Sequence, residues 1–415
     1  MKTLRFFLVG ILTVNFLASC SSDNEEPSTN ELKEVNLSRT EVALSNQQTP
    51  FGFDVFGKII NYNGDDSNKF YSPLCLSMGL SMVANGAEGD AKAQILSAFN
   101  IENANLEELN RVNKVLLESF PKLDHTTALS LANSAWIDNT FPVKNTFTAL
   151  LRDNYDAQCK NVNLMDEKSI DLINSWCKKQ TKGMIPEIIK EIPETARMYL
   201  LSALYFEGKW EKAFDKNRTQ NKLFFNVDGT TTSVPMMQKL IGQAEIHRTQ
   251  CFDIMEQKFG NGAYIFQMFR PRDGYKLAEA IKDFNFNEIE NSQEIICDVN
   301  FGLPKFSITY DTKDVLMPIL YELGIKNIFS NSNELRGISD EEIYVSLIRQ
   351  VSTITIDEKK AESSSINEIE ISVTSPGDPS SAPQIVNYTL DHPFMFAIYE
   401  QSTKTFLFMG AINKL

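Results

Sequence analysis

Residues 343–394 read IYVSLIRQVSTITIDEKKAESSSINEIEISVTSPGDPSSAPQIVNYTLDHPF, and the fold is organised around this stretch. Its first part, Tyr344 to Asp357, is rich in β-branched residues and predicts a strand. Its last part enters the apolar run PFMFAIYE at Pro393. The segment between them has no aromatic residue before Tyr388. Loops of this length inside a compact domain are uncommon, and they are usually functional or disordered.

The middle of this stretch alternates between two kinds of side chain. One set is small and then apolar, and the other is mostly acidic or polar, which is typical of a half-buried strand. No Pro or Gly occurs before Pro376, so nothing forbids pairing in the middle of a sheet. The pattern predicts a loop that can become a strand; the alternative is an exposed, solvated loop whose alternation is accidental. The first set is Ala361, Ser363, Ser365, Asn367, Ile369, Ile371 and Val373, and the second is Glu362, Ser364, Ile366, Glu368, Glu370, Ser372 and Thr374.

Size and charge narrow the class of protein. The chain has 415 residues, a formal charge of −14 and a pI near 4.9. Nucleic acid is excluded as a partner, because phosphate contacts need clustered Lys and Arg. Helical patterns dominate the first half and strand patterns the second, with no repeat and no βαβ alternation. We therefore expect one α+β domain from about residue 40 to the end.

The first residues form a targeting signal. Lys2 and Arg5 precede an apolar run from Phe6 to Leu17, which is too short to span a bilayer. The run ends in Leu-Ala-Ser-Cys, which resembles the signal of bacterial lipoproteins. We predict a signal peptide over residues 1–19 and lipidation of Cys20. The alternative is an ordinary secretory signal with an incidental cysteine.

Residues 20–39 are predicted to be the lipidated cysteine and an acidic tether. The stretch SSDNEEPSTNELKE is polar and acidic. Acidic residues close behind a lipidated cysteine resemble the surface-export signals of Bacteroides-type lipoproteins. We therefore expect an exported lipoprotein of the outer membrane, exposed at the cell surface and held to the membrane only through its lipid.

Metal and catalytic motifs are not found. The remaining cysteines include no CxxC and no Cys/His cluster, so we expect no metal site and no cofactor. Their odd number leaves at least one unpaired, and Cys75 and Cys177 lie in apolar helical patterns that predict burial. None of the three histidines stands in a Gly-x-Ser-x-Gly or HExxH context, which argues against an enzyme. The cysteines are Cys75, Cys159, Cys177, Cys251 and Cys297, and the histidines are His125, His247 and His392.

Local patterns predict the elements of the domain. Helices are expected over Asn46–Asn61, from Ser72-Pro73 to Asn85-Gly86, over residues 166–185 and over Val315–Phe329. An apolar strand is expected over Met198–Phe206, just before Gly208-Lys209-Trp210.

A run of motifs in a fixed order resembles the serpin family and covers nearly the whole chain beyond the tether. The resemblance implies a serpin domain over residues 40–415, with three β-sheets, eight or nine helices and an exposed reactive loop at about residues 358–383. The motifs are NKFYSPLCLSMGLSMVANGA, LANSAWID, INSWCKKQTKGMI, MYLLSALYFEGKWEKAF, VPMM, LPKFSI, LYELGIKNIF, LRGIS, DHPFMFAIYE and TFLFMG.

The resemblance implies a protease inhibitor with a suicide-substrate mechanism. The target protease cleaves the loop, forms a covalent complex, and is carried away as the loop inserts into the central sheet. Counting as in the family places the cleaved bond at Thr374–Ser375. The loop continues some eight residues longer than usual, through PGDPSSAP, so the alternative is a bond a few residues to either side. A β-branched residue at position 374 suggests an elastase-like serine protease, with cysteine proteases as a second class. The partner is the protease, and the inhibitor is a monomer. The hinge is Glu358, Lys359, Lys360, Ala361, Glu362, Ser363, Ser364 and Ser365.

Several residues depart from the family pattern and keep a second function open. Inhibitory members usually have Gly where Lys360 stands and Thr or Ser where Ala361 stands. The Asn and His that usually bond under the central sheet are here Ser202 and Gln350, and a nearby Ser is Cys75. The alternative is a non-inhibitory serpin that acts as a surface binding protein.

The lipoprotein signal makes a first prediction. Cys20→Ala removes the only predicted lipid attachment site, so the protein is expected to move from the membrane fraction to the soluble fraction. Fractionation followed by immunoblotting measures this. Cys297→Ala is the control and should stay with the membranes. Retention of Cys20→Ala in the membrane fraction would show that the anchor lies elsewhere.

Overall fold

The structure, a computed structural model, describes residues 30–101, 106–330, 333–358 and 385–415. Contacts divide the chain into residues 31–415, which form one compact unit, and residues 1–30, of which only Asn30 is described. Within the described ranges, no helix is both long and apolar enough to cross a membrane. The five described cysteines are free thiols, and Cys75 and Cys177 are buried, as their sequence patterns predict.

Nine α-helices lie within the described part of the chain, with five short 3-10 helices, in agreement with the eight or nine helices expected. The first half contains most of them, and the long helices other than α3 each bury one side. They are α1 Arg39–Gln47, α2 Thr49–Ile60, α3 Pro73–Gly86, α4 Gly89–Ala98, α5 Leu106–Ser119, α6 Asn145–Tyr155, α7 Glu167–Gln180, α8 Leu277–Asp283 and α9 Leu316–Glu322.

The described strands form three sheets, as expected. Nine strands form the largest sheet in the order β1-β14-β13-β8-β7-β6-β9-β12, with β5 beside β6; the smaller sheets are β3-β2-β4 and β10-β11. The strands are β1 Lys69–Tyr71, β2 Ala128–Asp138, β3 Gln158–Val162, β4 Met198–Glu207, β5 Gln220–Phe225, β6 Thr231–Arg248, β7 Phe252–Phe259, β8 Tyr264–Pro271, β9 Gln293–Pro304, β10 Phe306–Asp311, β11 Val351–Ile356, β12 Ile385–Thr389, β13 Phe394–Glu400 and β14 Phe406–Ile412.

The helix α3 begins as its sequence predicts. Ser72 is the N-cap, and its hydroxyl accepts a hydrogen bond from the Cys75 backbone N–H, while Pro73 occupies the first turn. Nearly every residue of α3 is buried, because one side packs against β4 and other sides meet β14 and neighbouring helices. The helix therefore forms the apolar floor beneath β4.

The two faces of β4 belong to two different apolar clusters. Leu204 and its neighbours face the main core, which includes α3. Ala203 faces a second cluster built around Trp136, Trp176 and Cys177, the last two from α7. The two faces of β11 also contact different clusters. Ile354 belongs to the main core, and Val351 packs against the second cluster. Both strands thus lie in one layer between α3 and α7.

Strand β11 is shorter than the sequence predicts. The expected strand began at Tyr344, whereas the ladder starts at Val351. Its partner β10 ends at Asp311, opposite Val351, and Thr312 then bonds to Gln350 as the chain turns towards α9. The length of the partner, and not the β-propensity of residues 344–350, therefore sets the length of the ladder.

Candidate functional site: the gap between β4 and β11

Strands β4 and β11 face each other without a ladder. Strand β4 pairs with β2 along its other edge, and β11 pairs with β10. Among the described strands no ladder joins β4 to β11. We call the space between these two edges the gap. A sheet edge without a ladder is a template on which another strand can pair, so each of the two edges could accept a strand.

One end of the gap is closed by a tryptophan. Trp210, three residues beyond β4, donates its indole Nε1–H to the carbonyl oxygen of Asp357, one residue beyond β11, at 2.9 Å. Its ring stacks on Phe259 with centroids 4.6 Å apart and meets Phe214 edge-on at 5.7 Å. Since both strands end at this bond, they run side by side in the same direction. We call the Trp210–Asp357 bond and its aromatic surroundings the latch.

The next residue, Glu358, is fixed beside the latch. Its carboxylate accepts hydrogen bonds from Lys305 Nζ at 2.6 Å and from the Thr219 hydroxyl at 2.7 Å, and the residue is 4% exposed. Burial raises the pKa of Glu358, but the hydrogen bonds from Lys305, Thr219 and its own backbone lower it by more, so the pKa lies below its usual value. The chain therefore leaves the gap from a charged, well-anchored position.

At the end of the gap opposite the latch, Gln350 bonds to the N-cap residue of α3, the helix that forms the floor. The side chain of Gln350 accepts a hydrogen bond from the Ser72 backbone N–H at 2.7 Å and donates to the Ser72 carbonyl at 3.0 Å. Ser202, on β4, donates instead to Asn133 at 2.6 Å. The two residues that depart from the family pattern here thus bond to separate partners. Cys75 lies one turn away under the gap, and burial raises the pKa of its thiol to about 12.

Ile188 and Ile189, which follow α7, pack with that helix on the face of β4 opposite α3. We call α7 and these two residues the roof of the gap. Asn174 donates to the Ile189 carbonyl at 2.8 Å, and its oxygen accepts from the backbone N–H groups of Ile188 and Ile189. Both isoleucines pack in the second cluster beside Trp176. The helix and these two residues therefore cover the face of β4 opposite α3 as one unit.

Both ends of the segment 359–384 lie along one strand. Ile385 begins β12 opposite Asp298 of β9, and Lys305, one residue beyond β9, holds Glu358. The seven residue steps from Asp298 to Lys305 correspond to roughly 23 Å of strand. The 26 residues of segment 359–384 could span roughly 90 Å at full extension. The chain between the two ends is therefore several times longer than the distance it must cover.

Most of the predicted site residues lie outside the described residues. This holds for Lys359 to Ser365 of the hinge, for the predicted cleaved bond Thr374–Ser375 and for the lipidation site Cys20. Only Glu358 is described. Its partners Lys305 and Thr219 were not predicted, because they are 53 and 139 residues away in the sequence and carry no local pattern.

The residues considered for catalysis serve other contacts. His247 Nδ1 lies 3.2 Å from the Ser292 hydroxyl, which donates to the Ile289 carbonyl. His392 stacks on Phe225, with ring centroids 4.6 Å apart. Within the described ranges, no group of three or more His, Cys, Asp or Glu residues could hold a metal ion.

Comparison with known proteins points to one family. The family model described as Serpin (serine protease inhibitor) matches residues 46–415. Mouse alpha-1-antitrypsin 1-1 is 27% identical over 373 residues, which are 87% of this chain and 86% of that protein. The native-state structure of tengpin, a thermophilic serpin, matches with a TM-score of 0.78 and 25% identity, covering 93% of this chain and 97% of that one. Human thyroxine-binding globulin shares the fold, with a TM-score of 0.77 and 20% identity, over 90% of this chain and 99% of that one.

The anchoring of Glu358 makes a prediction. Lys305→Met leaves a buried carboxylate with a single side-chain partner, so the free energy of unfolding at pH 7 is expected to fall by roughly 1–3 kcal/mol. A folded pKa below the unfolded value of about 4.3 means that this stabilisation is complete above that value and is lost as the pH falls through the folded pKa. The difference between parent and variant should therefore shrink from pH 7 towards pH 3. Urea titrations at several pH values measure it.

The control for this prediction is Lys313→Met. Lys313 lies 3.9 Å from Glu191 in an exposed pair, with both side chains at least about half exposed, so its loss should change the urea midpoint little. An equal effect of Lys305→Met at every pH would contradict the role given to Glu358.

Proposed function

The chain belongs to the serpin family of serine protease inhibitors, and we propose that it inhibits its target protease as a suicide substrate. The nucleophile of the protease attacks the carbonyl carbon of Thr374, the bond to the Ser375 nitrogen breaks, and an acyl-enzyme forms. Residues 359–374 then enter the gap as a new strand and carry the bound protease with them. The chain performs no catalytic turnover of its own in this mechanism.

The gap is the observation that carries the proposal. In the part of the chain that the structure describes, its two edges have no ladder with each other, and the chain that follows Glu358 starts at its latched end. A strand that turns back beside Asp357 runs antiparallel to β4 and β11 and pairs with both. Sixteen residues in a strand extend over roughly 50 Å, so full insertion moves the protease from one end of the inhibitor towards the other.

The side chains of the segment suit both surfaces of the gap. The alternating set that starts at Ala361 is small and then apolar, and it meets the apolar floor to which Leu74 belongs. The set that starts at Glu362 is mostly acidic or polar and takes the opposite face. Glu362 cannot exchange places with Ala361 without burying its charge against that floor.

The bond at Thr374–Ser375 defines the target class. Thr374 follows Val373, and small β-branched residues on this side of the bond suit the shallow specificity pocket of an elastase-like serine protease. Cysteine proteases form the same kind of acyl-enzyme through a thiol and make up the second target class. The inhibitor acts as a monomer, with the protease as its covalent partner.

The N-terminal sequence supports a location. We propose that residues 1–19 are removed, that Cys20 is lipidated, and that the acidic tether holds the serpin domain at the outer face of the outer membrane. The membrane contact is limited to the lipid, and the proteases that the inhibitor meets are those outside the cell.

A non-inhibitory binding protein is the second candidate. Lys360 replaces the glycine of inhibitory members and Asn367 interrupts the apolar set, and both changes slow insertion. Human thyroxine-binding globulin, which is named for its ligand, shares this fold. Such a protein uses the scaffold for binding and needs no loop insertion.

Incubation with a protease panel tests the proposal through the Ala361→Arg variant. The parent should form a complex with an elastase-like protease that survives denaturing electrophoresis. Ala361 is the first residue of the inserting set, so an arginine there must be desolvated without a partner before any later residue can follow. Insertion slows while the acyl-enzyme hydrolyses at its own rate. We expect cleavage near Thr374 with little stable complex.

The outward-facing control is Glu362→Arg, which should change the ratio of complex to cleaved product much less. Trapping by Ala361→Arg as efficient as by the parent would refute the register or the mechanism. A panel in which no protease is trapped by the parent would favour the binding protein.

Loop cleavage makes a further prediction about stability. Among the described strands of the intact chain, the edges of β4 and β11 share no partner; on this mechanism the intact form persists kinetically, whereas the cut chain gains a strand. Nicking near Thr374 should raise the melting temperature by roughly 10 °C or more, measured by calorimetry. The nicked Ala361→Arg variant should show a smaller increase. Equal melting of intact and nicked parent would contradict insertion.

A further inference from the structure

Lys239 lies on β6, and its amine is placed over two aromatic rings. The Nζ lies 4.3 Å from the centre of the Phe214 ring and 5.8 Å from that of Phe301, which is opposite Lys239 in the ladder between β6 and β9. Both phenylalanines are 1% exposed, and their ring centroids are 5.7 Å apart. Lys239 itself is partly exposed. The amine is therefore partly removed from water and still open to a small molecule from outside.

Few polar groups surround this amine. Within the described residues its Nζ donates to one acceptor, the Lys212 carbonyl oxygen, at 2.9 Å. A protonated lysine has three N–H donors. The faces of aromatic rings attract an ammonium by roughly 0.5–2 kcal/mol, which replaces only part of the hydration that burial removes. The charged form of Lys239 is thus poorly solvated.

Two charged neighbours act on the amine in opposite senses. The ammonium of Lys212 disfavours a positive charge on Lys239, and the carboxylate of Glu211 favours it. Burial and Lys212 together outweigh Glu211 and lower the pKa of Lys239 to about 8. Both neighbours are exposed side chains. A lysine that is desolvated or lies next to another cation is the kind that proteins use as a nucleophile.

The loop beside the amine is positively charged in an acidic protein. Residues 208–219, which join β4 to β5, read GKWEKAFDKNRT, with four Lys or Arg and two Asp or Glu, whereas the whole chain has a formal charge of −14. The Gln238 side chain donates to the Arg218 carbonyl at 3.2 Å, so the loop lies against β6 at Gln238 as well as at Lys239. An anionic molecule that approaches Lys239 therefore meets a local excess of positive charge.

We propose that Lys239 is a reactive lysine that forms an imine with small aldehydes, and that aldehydes with an anionic group such as phosphate are preferred. The Nζ lone pair attacks the aldehyde carbon, and the π electrons of the carbonyl move to its oxygen. A C=N bond then forms as the oxygen leaves in one molecule of water, together with the two hydrogens of the neutral amine. The proposal is independent of the inhibitory function proposed above.

A purely structural role for Lys239 makes a different prediction. The aliphatic part of a lysine often covers apolar surface while its amine stays in water, and Lys239 would then only cover Phe214 and Phe301. Such a lysine would be no more reactive than the exposed lysines of the same protein. Its rate of reaction therefore separates the two roles.

Limited labelling of the intact protein at neutral pH, with pyridoxal 5′-phosphate as the probe, tests the proposal. The imine is reduced with borohydride, and the modified lysines are located by peptide mass spectrometry. The matched control is Lys326, whose Nζ also lies over an aromatic ring, that of Tyr321 at 5.1 Å, but whose side chain is exposed. Lys239 should be labelled roughly tenfold faster than Lys326. Equal labelling of the two lysines would overturn the proposal.

Two variants of exposed neighbours should change this reactivity in opposite directions. Lys212→Met removes the neighbouring cation and keeps the backbone carbonyl, so Lys239 holds its proton more strongly and its labelling should fall roughly threefold. Glu211→Gln removes the carboxylate that favours the charged form, so labelling should rise roughly twofold. A role in packing alone would not give changes of opposite sign. Labelling of Lys239 that is unchanged in both variants, or that shifts in the same direction, would overturn the proposal.

Pyridoxal, which has the same aldehyde without the phosphate, tests the preference for an anionic group. The ratio of Lys239 to Lys326 labelling should be several times larger with pyridoxal 5′-phosphate than with pyridoxal, and high salt should reduce this difference. Lys216→Met, which removes an exposed cation of the loop, should lower the ratio for pyridoxal 5′-phosphate and leave that for pyridoxal unchanged. The same ratio with both aldehydes would overturn the preference.

Discussion

The lack of a ladder between β4 and β11, as far as residues 30–358 and 385–415 are described, is the constraint on which the rest of the structure depends. Strand β11 has six residues and β4 has ten, and a strand placed between them would pair along both. Each backbone hydrogen bond contributes roughly 0.5–1.5 kcal/mol net, so pairing along β11 alone amounts to roughly 3–9 kcal/mol. A fold that forgoes this pairing must hold the edges apart by other contacts. The contacts around the gap do this.

These contacts lie beyond the ends of the two edges and not between them. The latch joins Trp210 to Asp357 after both strands have ended, and Gln350 bonds to Ser72 just before β11 begins. The floor is α3 and the roof is α7, each with its own apolar cluster. The strands are thus fixed in spacing and direction while their facing edges stay available. An arrangement that bonded one edge to the other directly would be more stable and could not accept a strand.

The sequence predicts local structure well where local physics decides it. The start of α3 follows from Ser72 and Pro73, and the apolar run Met198–Phe206 matches β4. Predicted ends of helices and strands were wrong where a pairing strand or a turn sets the end of the element. The helix expected over residues 46–61 corresponds to α2, but it begins at Thr49 with Pro50 in its first turn, and residues 46 and 47 end α1. The helix expected to reach Phe329 ends at Glu322, because Gly324 takes a positive φ of 95°.

The candidate site also contains features that a local sequence pattern predicts and contacts between residues far apart in the sequence that it does not. The alternation beyond Glu358 is a local pattern and predicts a strand-forming segment from the sequence alone. The bond from Lys305 to Glu358 and the ion pair from Arg270 to Asp253 join residues that the fold brings together. The local sequences LPKF and CFDIM do not indicate which residues Lys305 and Asp253 contact in the fold. Only the resemblance to a family gave Glu358 a role before the structure was known, and it gave none to Asp253.

The residues on either side of segment 359–384 are held by different kinds of contact. At Glu358 the anchor is one carboxylate bonded to Lys305, whose side chain is 36% exposed, and to one hydroxyl. At Tyr388 the anchor is a buried ring with a hydroxyl bond, a stacked guanidinium and a backbone ladder. Glu358 is 4% exposed and Tyr388 is 0% exposed, so both anchors are buried. The end at Glu358 lies at the latched end of the gap, so the chain that follows it starts beside the two edges with which a new strand could pair.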